Sequence, residues 1–422
     1  MKTKLKKELT LLELVMMGVG IIVGAGIYVL IGIGASLAGN ALWLSFILAS
    51  LVAIFTGLSY AKLSFLFPKS SAEYIYIKNA FDENFALAAV LLIILSSVVG
   101  ASVVSIGFSE ILLNFFQNFL KININISSNI LAIFLIFICS IFLLLGIKQS
   151  AILSVSATFF SIMGLLLIIF FSIPYFGRED IFLIKNPFGV FEASALIFFA
   201  FIGFESIPRL AEEAKNPKKD IPLAIILSIV ITTIMYVLIA ISAISIMGAE
   251  ALSSSKNPLG DVANRVFGSY GLFLVSLFGL FATFSTSFLI LLSTSRIIYG
   301  VAEQNILPKI FLSVSKKRRV PQNSIIFVTI STMLFCLLKN LKFLATLADF
   351  FILFIFILVN VSLIKILQIR KNDKKRNFYF VPFLAIILCF ILLCSISPII
   401  WISALLTYFL IFIGIRITKK IF

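Results

Sequence analysis

The chain has 422 residues, of which 61% are hydrophobic and only 12% charged, yet its net charge is +16. Its mean hydropathy of +1.17 excludes a water-soluble globular domain, which neither needs so much apolar surface nor dissolves with so little charge. The solvent is lipid, where every backbone polar group needs an internal partner, so the choice lies between helices and a closed barrel.

The apolar runs are about 17–25 residues long and do not alternate in polarity, which selects helix over barrel strand. Residues 1–8, MKTKLKKE, read as a basic cytoplasmic flank. The run that follows is too long for the apolar core of a signal peptide. Twelve spans are expected, at about 9–37, 41–66, 84–113, 129–147, 152–175, 189–212, 221–247, 269–302, 323–338, 342–368, 379–395 and 398–416. With the N-terminus inside, 27 of the 34 Lys and Arg residues fall on inside segments and 7 outside, as the positive-inside rule requires. A multi-pass protein of the cell (cytoplasmic) membrane with both termini cytoplasmic is therefore expected. The basic loops face anionic inner-leaflet lipid, so the net charge calls for no nucleic-acid partner.

Other chemistries lack their residues. There is no histidine, and the four cysteines lie in apolar runs without metal-type spacing, so neither a disulfide nor a metal centre is expected. No P-loop is present, so ATP is not the direct driver, and no cofactor is expected. A membrane enzyme would need clustered His, Asp, Glu or Ser at adjacent span ends, and the acids are scattered. A channel would more naturally be an oligomer with pore rings of charged or hydroxyl side chains. No segment is long enough for a separate soluble domain, so residues 1–422 read as a single transmembrane domain, and a monomer or a homodimer is expected.

Two spans carry residues that weaken helices. Span one contains GVGIIVGAGIY at 18–28, with Gly18, Gly20, Gly24 and Gly26 close together. Glycine costs a helix interior about 1 kcal/mol relative to alanine. Span six contains Glu205 deep in the apolar run, after Gly203 and before Pro208. A buried charge there needs a cavity or a partner, and Pro208 disfavours helix before it. The two spans lie five apart, the pattern of an inverted repeat with a broken first helix in each half. Repeat one then covers about 9–175 and repeat two about 189–368, with appended helices at about 379–416. If span one unwinds around Gly24–Gly26, the amides of the second half-helix suit a carboxylate and the carbonyls of the first suit a cation. An α-amino acid carries both groups. Gly20 and Gly24 also form GxxxG, which marks close helix packing, and both readings stand.

Four stretches carry a resemblance: GIIVGAGIYVLIG (20–32), FPKSSAEYIYIKNAF (67–81), FFAFIGFESIPRLAEEAKNPKKDIPLAI (198–225) and SRIIYGVAEQNILPKIF (295–311). In order and spacing the chain resembles the amino acid permeases of the amino acid–polyamine–organocation superfamily across spans one to ten. The resemblance implies an all-α membrane protein of twelve transmembrane helices. Its expected core is a LeuT-type 5+5 inverted repeat, with broken helices 1 and 6 and two extra C-terminal helices. It implies secondary transport of amino acids by alternating access, with polyamine or organic-cation transport, or amino acid exchange, as the alternatives. The α-carboxylate would sit on the amides of Gly24, Ala25, Gly26 and Ile27. The α-amine would meet carbonyls of Ile22, Phe199, Ala200 and Ile202, with Phe199 as an aromatic lid.

The coupling ion is open. Proton-coupled and exchanging members often carry a lysine midway along span five. That position falls here at about Phe160–Ser161, and the span has no lysine. FSTS at 284–287 places Ser285, Thr286 and Ser287 in span eight. In sodium-coupled relatives of this fold, hydroxyls at that level bind Na+ with span-one carbonyls, here including that of Val23. These hydroxyls can equally bond back to their own helix. Glu205 suits a cationic or polar side chain, a proton, or bracing of the break. Asp349, about seven residues into span ten, faces either the cavity or the outer surface. Glu110 reads as interfacial. Glu212 and Glu213 form a cytoplasmic cluster with Lys215, Lys218 and Lys219. The apolar pocket candidates Ile22, Phe199 and Ile202 lean towards neutral or apolar amino acids.

Overall fold

A computed structural model describes residues 5–117, 121–122, 126–255, 257–338, 341–369, 379–394 and 396–421. Lys2, Lys4 and the basic cluster at 370–376 lie outside them. Among the described residues the fold is helical. In place of strands there are two isolated bridges, Leu9 with Ala214 and Val314 with Pro321.

The first half runs α1 (Leu11–Ile22), α2 (Ala25–Ala38), α3 (Leu42–Leu66), α4 (Ala72–Lys78), α5 (Glu83–Phe115), α6 (Ser128–Leu145) and α7 (Ile147–Ser172). The second runs α8 (Pro187–Ile197), α9 (Pro217–Met247), α10 (Ala249–Ser254), α11 (Pro258–Phe267), α12 (Ser269–Glu303), α13 (Gln322–Phe335) and α14 (Leu341–Ile369). Then come α15 (Phe380–Cys394) and α16 (Pro398–Ile421). Eight helical stretches are long and apolar enough to cross a membrane, or nine if α15 and the start of α16 count as one bent span. Neither α1, broken after 12 residues, nor α13, with 14, reaches that length alone. The short α4, α10 and α11 lie in stretches read as loops.

α1 begins with a capping box: Glu13 N–H donates to Thr10 Oγ1 at 3.4 Å, and Glu13 Oε2 accepts from Thr10 N–H at 2.9 Å. Both satisfy donors that a helix start leaves open. Lys148 of α7 holds the same glutamate at 2.5 Å.

The packing pairs elements across the two halves. α3 lies along α9, α5 along α12, and α6 along α13. α1 meets α9 while α8 meets α3; α7 meets α12 while α14 meets α5; α7 meets α9 while α14 meets α3. Close approach between halves uses glycine. A Cβ at Gly57 of α3 would collide with Ile229 of α9, and one at Gly18 with Ser228 of α9.

Candidate functional site

Span one breaks where the glycines stand. α1 ends at Ile22, and Val23 leaves helical geometry with φ −75° and ψ 78°. Gly24 is extended, with φ −120° and ψ −152°, and its N–H donates to Ile22 O at 2.8 Å. α2 starts at once, so the amides of Ala25, Gly26 and Ile27 form an uncapped first turn carrying the positive end of the helix dipole. Among the described residues no side chain caps it.

Span six breaks at Ile202–Gly203, ahead of Pro208. α8 passes into a 3-10 turn, Phe198–Phe201. Gly203 then takes φ +137°, and a second 3-10 helix, Phe204–Leu210, carries Pro208 inside it. The two breaks face each other. A Cβ on Gly203 would lie 3.1 Å from the Ile21 backbone, and one on Gly26 would lie 2.9 Å from Ala200 Cα. Glycine here permits both the break and the close approach, so the two sequence readings of this stretch are compatible.

A cavity opens at this crossing. Ile22, Gly24, Gly26, Phe199, Ala200, Ile202, Glu205 and Thr286 line it. Val23 and Ile27 are fully buried in the core instead. Ser287 is turned away and bonds Ser105 of α5 at 3.1 Å. Asp349 faces the cavity, which decides between its two expected positions. Sequence reasoning missed the α5 wall of Ser96, Ser97, Gly100 and Val104. The signal was present in SSVVGAS at 96–102, a run of small residues of the kind that lets helices or ligands approach closely.

Tyr236 of α9 was also missed. Its hydroxyl lies 2.9 Å from Ile22 O and 3.1 Å from Ala200 O, so one phenol proton ties span one to span six at their breaks. Tyr236→Phe is expected to lower transport efficiency on the order of 10-fold, the value of one buried hydrogen bond. Initial rates in proteoliposomes measure this, and unchanged rates would remove Tyr236 from the site.

The span-eight hydroxyls divide their roles. Thr286 Oγ1 donates to Gly20 O at 2.9 Å, with Val23 O at 3.5 Å. Ser285 meets Thr158 of α7 at 3.0 Å, and a Cβ on Gly20 would collide with that threonine. The α7 residue beside α1 is therefore Thr158, whereas Phe160 is exposed.

The charges pair at long range. Glu205 Oε2 accepts the Gly203 N–H at 2.7 Å, so this carboxylate braces the span-six break. Arg209 and Glu73 form a fully buried two-point pair, with Nη2–Oε1 at 2.8 Å and Nε–Oε1 at 3.1 Å. Arg209 also reaches Ser97 at 3.5 Å and Ser206 at 3.4 Å, both cavity residues. Arg296 grips Glu213 in the same way, at 2.9 Å through both nitrogens. Glu213 thus pairs with α12 rather than with Lys215, Lys218 or Lys219. Its backbone carbonyl holds the amides of Glu8 and Leu9 at 2.9 and 3.0 Å, strapping the N-terminal segment to the end of span six. Glu110 is exposed near the end of α5.

Beside that strap, past the apolar stretch Pro187–Leu210 in which span six ends, Glu212 accepts from Ser70 N–H at 3.4 Å, with Lys69 at 3.8 Å. Burial, and then the neighbouring Glu303 carboxylate, push Glu212 above the usual carboxylate range. A raised acid stabilises the fold below its unfolded pKa and loses that contribution as pH rises through the folded value. The melting temperature of the purified protein is expected to fall over that window, and Glu212→Gln to flatten the fall. An unaltered pH profile in the variant would remove Glu212 as its cause.

Broken helices around a cavity inside a multi-span helical membrane protein define a transporter rather than an enzyme. The amino acid permease family profile matches residues 9–420, and the chain belongs to that family. It is 28% identical to the branched-chain amino acid permease BcaP of Bacillus subtilis, over 93% of this chain and 89% of that one. It is 30% identical to cationic amino acid transporter 5 of Arabidopsis thaliana, over 88% of this chain and 67% of that one. An uncharacterised protein of Methanocaldococcus jannaschii is 28% identical, over 99% and 95%.

Proposed function

We propose that the chain is a secondary active amino acid transporter of the cytoplasmic membrane, a monomer or homodimer with cytoplasmic termini. The observation that carries this reading is the uncapped first turn of α2 opposite the broken span six, both on one cavity. The α-carboxylate binds the amides of Ala25, Gly26 and Ile27, with Gly24 opening the turn. The α-ammonium meets the carbonyls of Ile22, Phe199, Ala200 and Ile202. Carbonyl oxygens have two lone pairs, so those of Ile22 and Ala200 serve Tyr236 and a ligand together. Phe199, half-buried on the cavity wall, closes over the substrate.

Alternating access is proposed to rock one bundle against another about this site. The architecture is read as twelve spans: a 5+5 inverted repeat, about 9–175 and 189–368, with two appended helices at about 379–416. Packing supports the repeat, because exchanging spans for their counterparts five spans away maps several observed contacts onto observed contacts. The α7–α12 contact maps onto α14–α5, and α7–α9 onto α14–α3. Two coupling ions have different seats: Na+ on Thr286 Oγ1 with the Gly20 and Val23 carbonyls, or H+ on Glu205.

The test is uptake of a panel of labelled amino acids into proteoliposomes under separate sodium and proton gradients. Uptake of one amino acid class supports the reading. Sodium dependence lost in Thr286→Val assigns the first seat, and proton dependence lost in Glu205→Gln the second. No uptake under either gradient or by exchange would overturn amino acid transport.

A further inference from the structure

We propose that the cavity selects amino acids with a cationic side chain, and that Asp349 on α14 binds that charge. This rests on the amino acid reading above and adds the substrate class to it. Among the described residues two carboxylates line the cavity, Glu205 and Asp349, and no lysine or arginine does. The two differ in what they already hold. Glu205 is engaged by the Gly203 N–H at 2.7 Å and lies one helical turn from Arg209. Asp349 has no hydrogen-bond or ion-pair partner among the described residues.

A carboxylate at this depth with no counter-charge calls for a cation. The backbone of an amino acid cannot supply it, since its ammonium and carboxylate cancel and each has its own seat at the broken helices. The side chain is the remaining source. Its path is built for a long stem. A Cβ added to Gly100 on the α5 wall would meet nothing within 4 Å, so that wall is open. The flanking residues Val104, Ile290 and Ile352 are apolar and suit methylenes that end in a charge. Ser96 donates to Ala348 O at 2.9 Å, which fixes α14 against α5 one residue before Asp349. The acceptor is therefore positioned before the ligand arrives.

The experiment compares L-lysine with L-norleucine, which has the same stem without the ε-ammonium, using the full-length protein in proteoliposomes. Wild type is expected to prefer L-lysine about 10- to 100-fold, the range for a hydrogen bond to a charged group. Asp349→Asn is expected to bring the ratio near one while norleucine uptake persists, and Asp349→Glu to restore much of the lysine preference. If Asp349→Asn does not fold, protection of wild type from thermal unfolding by each ligand reads the same preference. A wild type that favours norleucine, or an Asp349→Asn that keeps the lysine preference, overturns the assignment and leaves amino acid transport standing. Putrescine carried as fast as lysine overturns it too, since putrescine has no carboxylate for α2. Uptake of neither amino acid overturns both proposals.

Discussion

Replacing Gly203 with alanine is expected to lower substrate uptake by on the order of 100-fold, the cost of misplacing reacting groups by about 1 Å. The residue holds φ +137°, where a Cβ is strained by about 1–3 kcal/mol. The added atom would also press on Ile21 at 3.0–3.1 Å, backbone atoms included. Relief requires the backbone to rotate. Rotation withdraws the N–H that Glu205 accepts and pulls span six away from span one, where the proposed ammonium-binding carbonyls lie. Gly177→Ala is the matched control. Gly177 has φ +87° with nothing within 4 Å of an added Cβ, so it pays in stability and keeps transport. Equal loss of uptake in both variants would show that strain alone, and not the crossing, governs the result.

The largest effect on stability is expected at Arg209 and Glu73. Both side chains are fully buried, so removing one leaves the other charged, dry and unpaired. Arg209→Met or Glu73→Gln is expected to destabilise the protein by about 3–5 kcal/mol, and the double replacement by much less than the sum. Denaturation of the four proteins in detergent measures the cycle. Additive losses would mean that the charges do not depend on each other. Because Arg209 also touches Ser97 and Ser206, the single variants are expected to disturb the cavity as well.

Much of this was readable without coordinates. Gly24 and Gly26 marked the first break, because helices tolerate glycine poorly and ligands approach it closely. In span six the sequence pointed to Glu205 and Pro208, whereas the chain breaks at Gly203. Pro208 falls inside a 3-10 helix five residues past the break, and Gly203 supplies the φ that no other residue adopts easily. Glu205 read as suited to a ligand side chain, a proton or bracing of the break, and its hydrogen bond to a backbone amide two residues away is the contact that bracing requires.

Composition and the length of the apolar runs determined that this is a helical membrane protein, since lipid leaves no other home for such a chain. Helix-breaking residues in two spans determined where backbone groups are left without intrahelical partners, since these are freed only where helices end. The tertiary structure decided which side chains share the cavity. Ser96, Ser97 and Asp349 come from helices far from the two breaks in sequence, and one apolar run does not reveal which of its faces meets another. It also decided that Arg209 and Arg296, which the sequence counts among the charges at the inner ends of the spans, are buried against Glu73 and Glu213. Those pairings span 136 and 83 residues, and only packing brings such partners within hydrogen-bonding distance.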